Sequence, residues 1–411
     1  MIWFKLGWRN LWRYKRRTII ELVSIGGSVF LAVWWNNLAV GMYDKLVDDG
    51  VRMGSGHIGI YHRDYLELRK TEQVIEATGL VTELERDPDV AGVFPRLNVP
   101  GLVRSSHESR AAGMMGMDFE RETGSNPLLE SKRLVSGALP SQDMKREAVI
   151  GEILACELGL EVGNKFVFMV QGADGEIVSA LLRVSGILRT NIREIDAGMI
   201  MMDRRRLGEI IGYKDSAHEI AVMLKSHRLI KNSMPRIKAI AGHYPDAEAY
   251  PWDDAMPALA SSIHMDHAGL QITVIILFVI VGIGTVNTLL MSVMERTREF
   301  GMIRAIGVSK AGIRKMVVSE AFVLACAGVG SGMVLGIIAG FYFQAHGIDF
   351  SGIIDEQGMG GTLYEPIMYS GWDIPGMIVI GAGMVFIALL ASFYPAHHVL
   401  KINPSDAMRI Y

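Results

Sequence analysis

The sequence is poor in cysteine and lacks the motifs of the common catalytic and metal sites. Only Cys156 and Cys326 occur among 411 residues, so we expect neither a disulfide framework nor a bridge between them. No HExxH zinc motif, GxSxG nucleophile elbow, CxxC pair or Asp-rich calcium loop is present. His57 and His62 lack a third candidate ligand. We therefore expect no catalytic residue and no metal site in this chain.

An excess of positive charge is also missing. The chain has 41 basic and 44 acidic residues, for a net charge of −3, whereas a nucleic-acid-binding protein needs a strongly basic surface. No low-complexity tract and no repeat of about 20 to 50 residues is found. We expect a chain that is folded almost throughout and has no nucleic-acid partner.

A GxxxxGK[ST] phosphate loop is absent as well. The segment GLEVGNK at 159–165 has the wrong glycine spacing. We therefore expect this chain to bind no cofactor, and any ATPase that works with it to be another chain.

Long apolar runs are what the sequence does contain. Half of the residues are hydrophobic, and four runs are long enough to cross about 30 Å of hydrocarbon as helices. They lie at 19–40, 268–294, 317–343 and 374–394. The first run is longer than the apolar region of a signal peptide and lacks an Ala-x-Ala cleavage site, so we interpret it as a retained anchor.

The distribution of lysine and arginine predicts the topology. Basic residues crowd the segment before the first run and the connection at 295–316, whereas the loop at 344–373 has none. Because positive loops stay in the cytoplasm, we expect 295–316 and the tail at 395–411 to be cytoplasmic, and 41–267 and 344–373 to lie outside. The segment 1–18 alternates tryptophans with arginines and lysines, which predicts an amphipathic helix in the cytoplasmic interface.

The long outer segment, 41–267, has a mixed pattern that predicts an α+β domain. Short β-rich runs are interleaved with helical patterns at 74–86 and 227–243, and the turn QGADGE at 171–176 predicts a hairpin. The β-rich runs lie at 57–61, 165–170, 177–188, 199–202 and 219–224. The predicted fold is thus a polytopic α-helical membrane protein with four transmembrane helices and a large α+β extracytoplasmic domain inserted between the first and second.

The segment that follows the second run carries a recognisable pattern. It reads VNTLLMSVMERTREFGMIRAIGVSKAGIRKMVVSE over 286–320, and it resembles the FtsX-like permease family, the membrane subunits of ABC transporters that include lipoprotein-releasing permeases and macrolide exporters. The N-terminal segment WRNLWRYKRRT and the C-terminal segment YPAHHVLKINPSDAMR are similar to the corresponding segments of the same family. His397 and His398 depart from it, because arginines are common at those positions.

The resemblance implies roles for two groups of residues. It implies that 295–309 is a coupling helix docked on a cytoplasmic ATPase, with Glu295, Arg296, Arg298, Glu299, Gly301, Arg304 and Gly307 as the coupling residues. It also implies a substrate cavity between the first and second spans of two permease subunits. The residues that we assign to that cavity are Trp34, Asn37, Leu38, Leu270, Val274, Leu277 and Phe278.

The resemblance also implies partners and a location. We expect an ABC ATPase dimer that holds ATP and magnesium, a second permease copy or paralogue, a periplasmic carrier or adaptor, and membrane lipid. The location is the bacterial inner membrane with both termini cytoplasmic. The expected function is release of an amphiphile, with lipoprotein release ranked first. Peptide or drug export, and a non-transporting transducer that activates an outer partner such as a cell-wall hydrolase, remain open.

Glycines in the third span predict close helix packing. Gly328, Gly332, Gly336 and Gly340 recur every four residues, and a ladder of small residues at this spacing lets two helix backbones approach. We expect these four residues to have a packing role.

Overall fold

The structure, a computed structural model, describes residues 15–140, 146–350, 357–359, 362–364 and 367–398. The amphipathic helix predicted for 1–18 and the tail at 395–411 therefore lie mostly outside the described residues. The chain divides into two compact units. The first contains Met1–Asp44, Met265–Phe350 and Ile367–Tyr411, and the second contains Lys45–His264 and Ser351–Pro366.

The described residues form helices and strands along the whole chain. The helices are α1 Lys15–Met53, α2 Tyr65–Leu68, α3 Thr78–Leu84, α4 Phe119–Glu122, α5 Glu152–Leu158, α6 Arg193–Gly198, α7 Arg204–Ile211, α8 Ile230–Ala241, α9 Trp252–Ala255, α10 Pro257–Glu295, α11 Thr297–Ala305, α12 Lys310–His346 and α13 Ile374–His398. The strands are β1 Ile58–His62, β2 Ile75–Glu76, β3 Val90–Arg104, β4 Ser109–Met117, β5 Leu134–Gly137, β6 Glu147–Gly151, β7 Lys165–Gln171, β8 Ile177–Leu188, β9 Met199–Asp203, β10 Ser216–Ala217, β11 Glu219–Leu224, β12 Ala247–Pro251, β13 Ile348–Asp349, β14 Gln357–Met359, β15 Thr362–Tyr364 and β16 Ile367–Met368.

Four helices, α1, α10, α12 and α13, are long and apolar enough to cross a membrane. The four predicted runs all fall inside them, which confirms the fold class, but the helices extend further than the runs. Helices α1 and α10 have 39 residues each, which is about 58 Å at 1.5 Å per residue. Hydropathy marks only the apolar part of a helix, so the sequence did not reveal the polar extensions.

The second unit contains an open antiparallel sheet with the strand order β12-β1-β11-β3. Helices α3 and α8 supply the apolar side chains that cover it, including Leu80, Leu84 and Ile237. The element order β-α-β-β-α-β and the strand order 4-1-3-2 are those of a ferredoxin-like fold. The strands predicted at 57–61 and 219–224 are confirmed as β1 and β11.

The same unit contains a closed barrel. Strand β3 continues past the open sheet and pairs with β4 and β7, and the ring is completed through β9, β6 and β8. The interior is filled by buried side chains such as Phe166, Phe168 and Met114, so the barrel is a packed core and not a pore. The strands predicted at 165–170, 177–188 and 199–202 and the hairpin at 171–176 are confirmed.

Two details of the outer segment differ from the sequence prediction. The helix predicted over 74–86 is helical only as α3, Thr78–Leu84, because Ile75 and Glu76 pair with β10 instead. The long strand β3 was not predicted, because Gly92, Pro95, Pro100 and Gly101 interrupt its pattern. Pairing on both sides holds this segment extended in spite of the two prolines.

Candidate functional site

A shallow groove runs between α1 and α10 in the first unit. One part, of about 170 Å³, is lined by Trp34, Leu270, Val274 and Leu277 among others. The adjoining part, of about 360 Å³, includes Leu38 and also Leu270. The structure therefore brings together five of the seven residues assigned to the cavity. Their surface is apolar, with an indole at its centre, and it suits a hydrocarbon chain.

Asn37 and Phe278 do not line this groove of the single chain. Each residue of a helix is rotated by about 100° from its neighbour, which turns Asn37 and Phe278 away from Leu38 and Leu277. Asn37 is fully buried, and its amide lies 3.9 Å from the sulfur of Met377 on α13. Phe278 lines a separate groove between α10 and α13.

The segment assigned to coupling forms the short helix α11, which has a buried face and an exposed face. Phe300 packs with Ile313 and Val317 of α12. On the opposite face, Arg298, Met302 and Ile306 are spaced by four residues and all are exposed. Met302 is 47% exposed and Ile306 is 84% exposed. The exposed stripe, Arg298–Met302–Ile306, was not predicted in full, because the sequence pattern drew attention to the charges and not to the apolar residues.

Arg296 is buried in the protein and does not belong to this exposed surface. It is 3% exposed, and its guanidinium donates to Glu299 at 3.0 Å and to Glu320 at 3.2 Å. The guanidinium carbon also lies 5.4 Å from the centre of the Phe300 ring, within the range of a cation–π contact. Arg296 therefore does not contribute to the exposed surface of α11, and its side chain fixes α11 against α12.

The remaining coupling residues fall into different environments. Glu295 is exposed at the end of α10, Gly301 is buried beside Phe300, and Arg304 is partly buried. Gly307 has a φ of +104° and directly follows the last turn of α11, a backbone conformation that residues with a Cβ rarely adopt. Gly307 therefore acts through backbone geometry in the connection to α12.

The glycine ladder of α12 lies against α1 and Trp372. A Cβ added to Gly328 would lie 2.8 Å from a methyl carbon of Ile25, and one added to Gly336 would lie 2.8 Å from a methyl carbon of Val33. At Gly332 the added atom would meet the carbonyl oxygen of Gly26. Gly340 faces Asn37 and Trp372 instead. The absence of side chains at the first three positions allows the two helix backbones to touch.

We predict that Gly332→Ala destabilises the helix bundle while Gly330→Ala does not. The methyl group of the first variant would overlap Gly26 and Val29, whereas no described atom lies within 4 Å of the position it would take at Gly330. Overpacking of this kind costs about 1 to 3 kcal/mol. Thermal unfolding of the two purified variants in the same detergent measures the difference, and equal melting temperatures would contradict the assigned contact.

No group of three His, Cys, Asp or Glu side chains that could hold a metal occurs among the described residues. His57 is buried, and its Nδ1 accepts a hydrogen bond from the Leu224 amide at 3.1 Å. His218 is fully buried, and its Nδ1 accepts from the Asn98 amide at 3.1 Å. Burial lowers the pKa of both histidines below their usual value. Both imidazoles are structural acceptors within the second unit.

Comparisons with known proteins agree with these features. The chain is 21% identical over 350 residues to the lipoprotein-releasing system transmembrane protein LolC of Xylella fastidiosa (strain Temecula1), a match that covers 79% of this chain and 78% of that protein. It is 22% identical over 419 residues to the macrolide export ATP-binding/permease protein MacB of Campylobacter jejuni (strain 81-176), with 98% of this chain and 61% of that protein covered. The chain thus spans about three fifths of that second relative.

Solved structures also match the chain, at low sequence identity. The periplasmic region of MacB from Actinobacillus actinomycetemcomitans matches with 15% identity and a TM-score of 0.37, and the match covers 51% of this chain and 95% of that one. Residues 272–404 match the family described as FtsX-like permease C-terminal. This range begins within α10 and takes in α11, α12 and α13. The resemblance read from the sequence is confirmed, and residues 272–404 of this chain are an FtsX-like permease domain.

Proposed function

We propose that this chain is the permease subunit of a mechanotransmitting ABC transporter that releases lipoproteins from the inner membrane. The observation that carries the proposal is the combination of an FtsX-like permease domain with a large α+β domain inserted between the first and second long helices. ATP and magnesium bind to a separate cytoplasmic ATPase dimer. The permease helices carry the resulting motion to the outer domain.

The size of the groove between α1 and α10 supports an amphiphilic substrate. Its two parts measure about 170 and 360 Å³, below or at the small end of the range of ligand pockets. Such a groove accommodates part of an acyl chain but not a folded protein. A lipoprotein is compatible with a groove of this size, because its lipid anchor enters the groove while its folded part stays in water beside the outer domain.

Relatives of two kinds support a permease subunit, and we propose lipoprotein release first. The relative from Xylella fastidiosa is named as the transmembrane protein of a releasing system, and 78% of it is covered. The macrolide exporter includes an ATP-binding part in its name, and only 61% of it is covered. Export of a macrolide-type drug or peptide is the second candidate, since that relative aligns with 98% of this chain.

The exposed apolar surface of α10 supports a second permease subunit. Ile272, Ile276 and Ile283 of α10 are more than half exposed in the single chain, and a lipid-facing or subunit-facing surface explains this. A second copy or a paralogue would complete the groove. By the charge distribution of the sequence, both termini are cytoplasmic and the outer domain is periplasmic, where a carrier or adaptor protein would receive the substrate.

The proposal is tested by purifying the chain with its ATPase in native lipid particles and identifying bound molecules by mass spectrometry. An enriched acylated protein supports lipoprotein release. A bound drug or peptide would instead support export. A bound hydrolase, with no ligand in the groove, would contradict both transport functions and support signal transduction. Leu277→Trp fills the groove and should deplete the acylated protein, whereas Leu335→Trp, at an exposed position on α12, should not.

A further inference from the structure

The carbonyl groups at the end of α1 are bound by a buried side chain, Arg96. All five N–H groups of this guanidinium are used. Nη1 donates to the carbonyl oxygens of Met53 at 2.6 Å and Gly54 at 2.7 Å, and Nη2 donates to that of Arg52 at 2.9 Å. Nη2 also donates to Glu122 Oε2 at 2.7 Å, and Nε donates to Glu122 Oε1 at 3.0 Å. The planar fork of arginine carries five donors, whereas lysine has three on a single nitrogen and could not make all five of these bonds.

Arg96 occupies the point where β3 leaves one half of the outer domain and enters the other. It is the last residue of β3 that pairs with β11 of the open sheet, and Leu97 is the first that pairs with β4 of the barrel. Glu122 lies on α4, directly after β4, and accepts a third hydrogen bond, from Asn126, at 2.7 Å. One guanidinium therefore joins the end of α1 to the open sheet and to the barrel.

The cluster is closed to water, so its contacts are stiff and costly to break. Arg96 and Glu122 are each 1% exposed. Burial alone would lower the pKa of the Arg96 guanidinium, but the neighbouring Glu122 carboxylate raises it above its usual value. The carbonyl groups that Arg96 binds are those left without partners at the end of a helix, and a cation at this end also interacts favourably with the helix dipole.

We propose that Arg96 is the positioning residue through which movement of α1 reaches both halves of the outer domain. The inference rests on the proposed function, because it requires that motion enter α1 from the ATPase side. Helix α1 is uninterrupted from Lys15 to Met53, so a displacement of its membrane part moves its last turn. Without the clamp, that turn keeps apolar packing through Val51 and Met53, but it loses the hydrogen bonds to a charged side chain that fix its position.

The test compares Arg96→Met/Glu122→Gln with an exposed pair of the same chemistry in the same unit. The double variant removes the charges of Arg96 and Glu122 together, because Arg96→Met alone leaves the buried Glu122 carboxylate without its partner. Glu219, 4.0 Å from Arg96 Nη1, is retained, and burial raises the pKa of its carboxyl group. The matched control is Arg110→Met/Glu157→Gln, whose side chains are 45% and 42% exposed and 3.0 Å apart. Arg96→Lys keeps the charge but not the fork, and it should restore coupling only in part.

Two quantities are measured on the full chain with its co-purified ATPase in lipid nanodiscs. The first is the ATPase rate. The second is the nucleotide-dependent change in hydrogen exchange of β3, β4 and β11, which requires no knowledge of the substrate. We expect Arg96→Met/Glu122→Gln to keep the ATPase rate of the control variant while the exchange change in the outer domain falls about tenfold, within the usual range of coupling between two sites.

The outcomes separate this inference from the proposed function. If the double variant keeps the full nucleotide-dependent change in hydrogen exchange, the role of Arg96 is overturned. The role is also overturned if nucleotide does not change the exchange of the outer domain in the unmodified chain. Absence of an acylated protein from the purified complex counts against lipoprotein release alone. An exchange change lost together with the ATPase rate would show a general folding defect and would also overturn the positioning role.

Discussion

Met302→Asp/Ile306→Asp should abolish co-purification of the ATPase while leaving the chain folded in the membrane. The two side chains are 47% and 84% exposed on the face of α11 that lies opposite Phe300. Burying an exposed apolar side chain of this size contributes about 1.5 to 3 kcal/mol. Loss of both therefore weakens the complex by more than about a hundredfold, and the new carboxylates would add a desolvation cost at the interface.

The chain offers a matched control for this prediction. Leu181 and Ile177 are also spaced by four residues and are 45% and 72% exposed, but they lie on β8 of the outer domain. Leu181→Asp/Ile177→Asp should leave the ATPase attached, because the predicted topology places β8 on the other side of the membrane. Equal losses in both variants, or an ATPase that remains bound to Met302→Asp/Ile306→Asp, would refute the docking surface.

Charge reversal at Glu295 and Glu299 is a less discriminating test of docking. Glu299 is bonded to the buried Arg296 at 3.0 Å, so its replacement by a cation disturbs the packing of α11 as well as its surface. Glu295 is exposed and free of this complication. Glu295→Lys alone should weaken ATPase binding only modestly, because rim charges affect association rate and specificity more than affinity.

The sequence predicted those features that depend on local pattern. Uninterrupted apolar runs gave the four long helices, and alternating apolar residues gave β1, β7, β8, β9 and β11. Strand β3 was missed because Pro95 and Pro100 oppose a β prediction locally, while its pairing partners lie far away in the sequence. Where pairing with distant segments outweighs the local conformational preference, the pattern within one segment is insufficient to predict a strand.

The candidate site shows the same division between local and long-range information. The family resemblance pointed to residues of the first two spans that share one groove in the structure: Trp34, Leu38, Leu270, Val274 and Leu277. Asn37 lies outside that groove because it faces Met377, 340 positions later, and no local pattern reveals such a contact. The burial of Arg296 depends in the same way on Glu320, 24 positions away.

Arg296→Met should destabilise the packing of α11 against α12 and thereby remove ATPase binding. The variant keeps an apolar stem over Phe300 but deletes the cation that Glu299 and Glu320 share. Removing one partner of a buried ion pair costs about 3 to 5 kcal/mol. Helix α11 contributes few other buried residues besides Phe300 and Gly301, so we expect it to detach locally before the long helices unfold.

A second substitution distinguishes loss of the ion pair from loss of volume. Glu320 is 12% exposed whereas Glu299 is 29% exposed, so the carboxylate of Glu320 suffers more when the guanidinium is removed. Arg296→Met/Glu320→Gln should therefore recover much of the stability lost in Arg296→Met. Arg298→Met, an exposed arginine two residues away, should leave stability unchanged. Protease protection of α11 and the melting temperature of the purified chain report these differences.

The stability and ATPase binding of Arg296→Met/Glu320→Gln also decide what Arg296 contributes to coupling. If Arg296→Met/Glu320→Gln regains both stability and ATPase binding, the guanidinium acts only by fixing α11, and the docking surface is the exposed stripe Arg298–Met302–Ile306. If stability returns without ATPase binding, Arg296 itself contacts the ATPase, which its 3% exposure argues against. Because an interface rarely draws its affinity from a side chain that the partner cannot reach, we expect the first result.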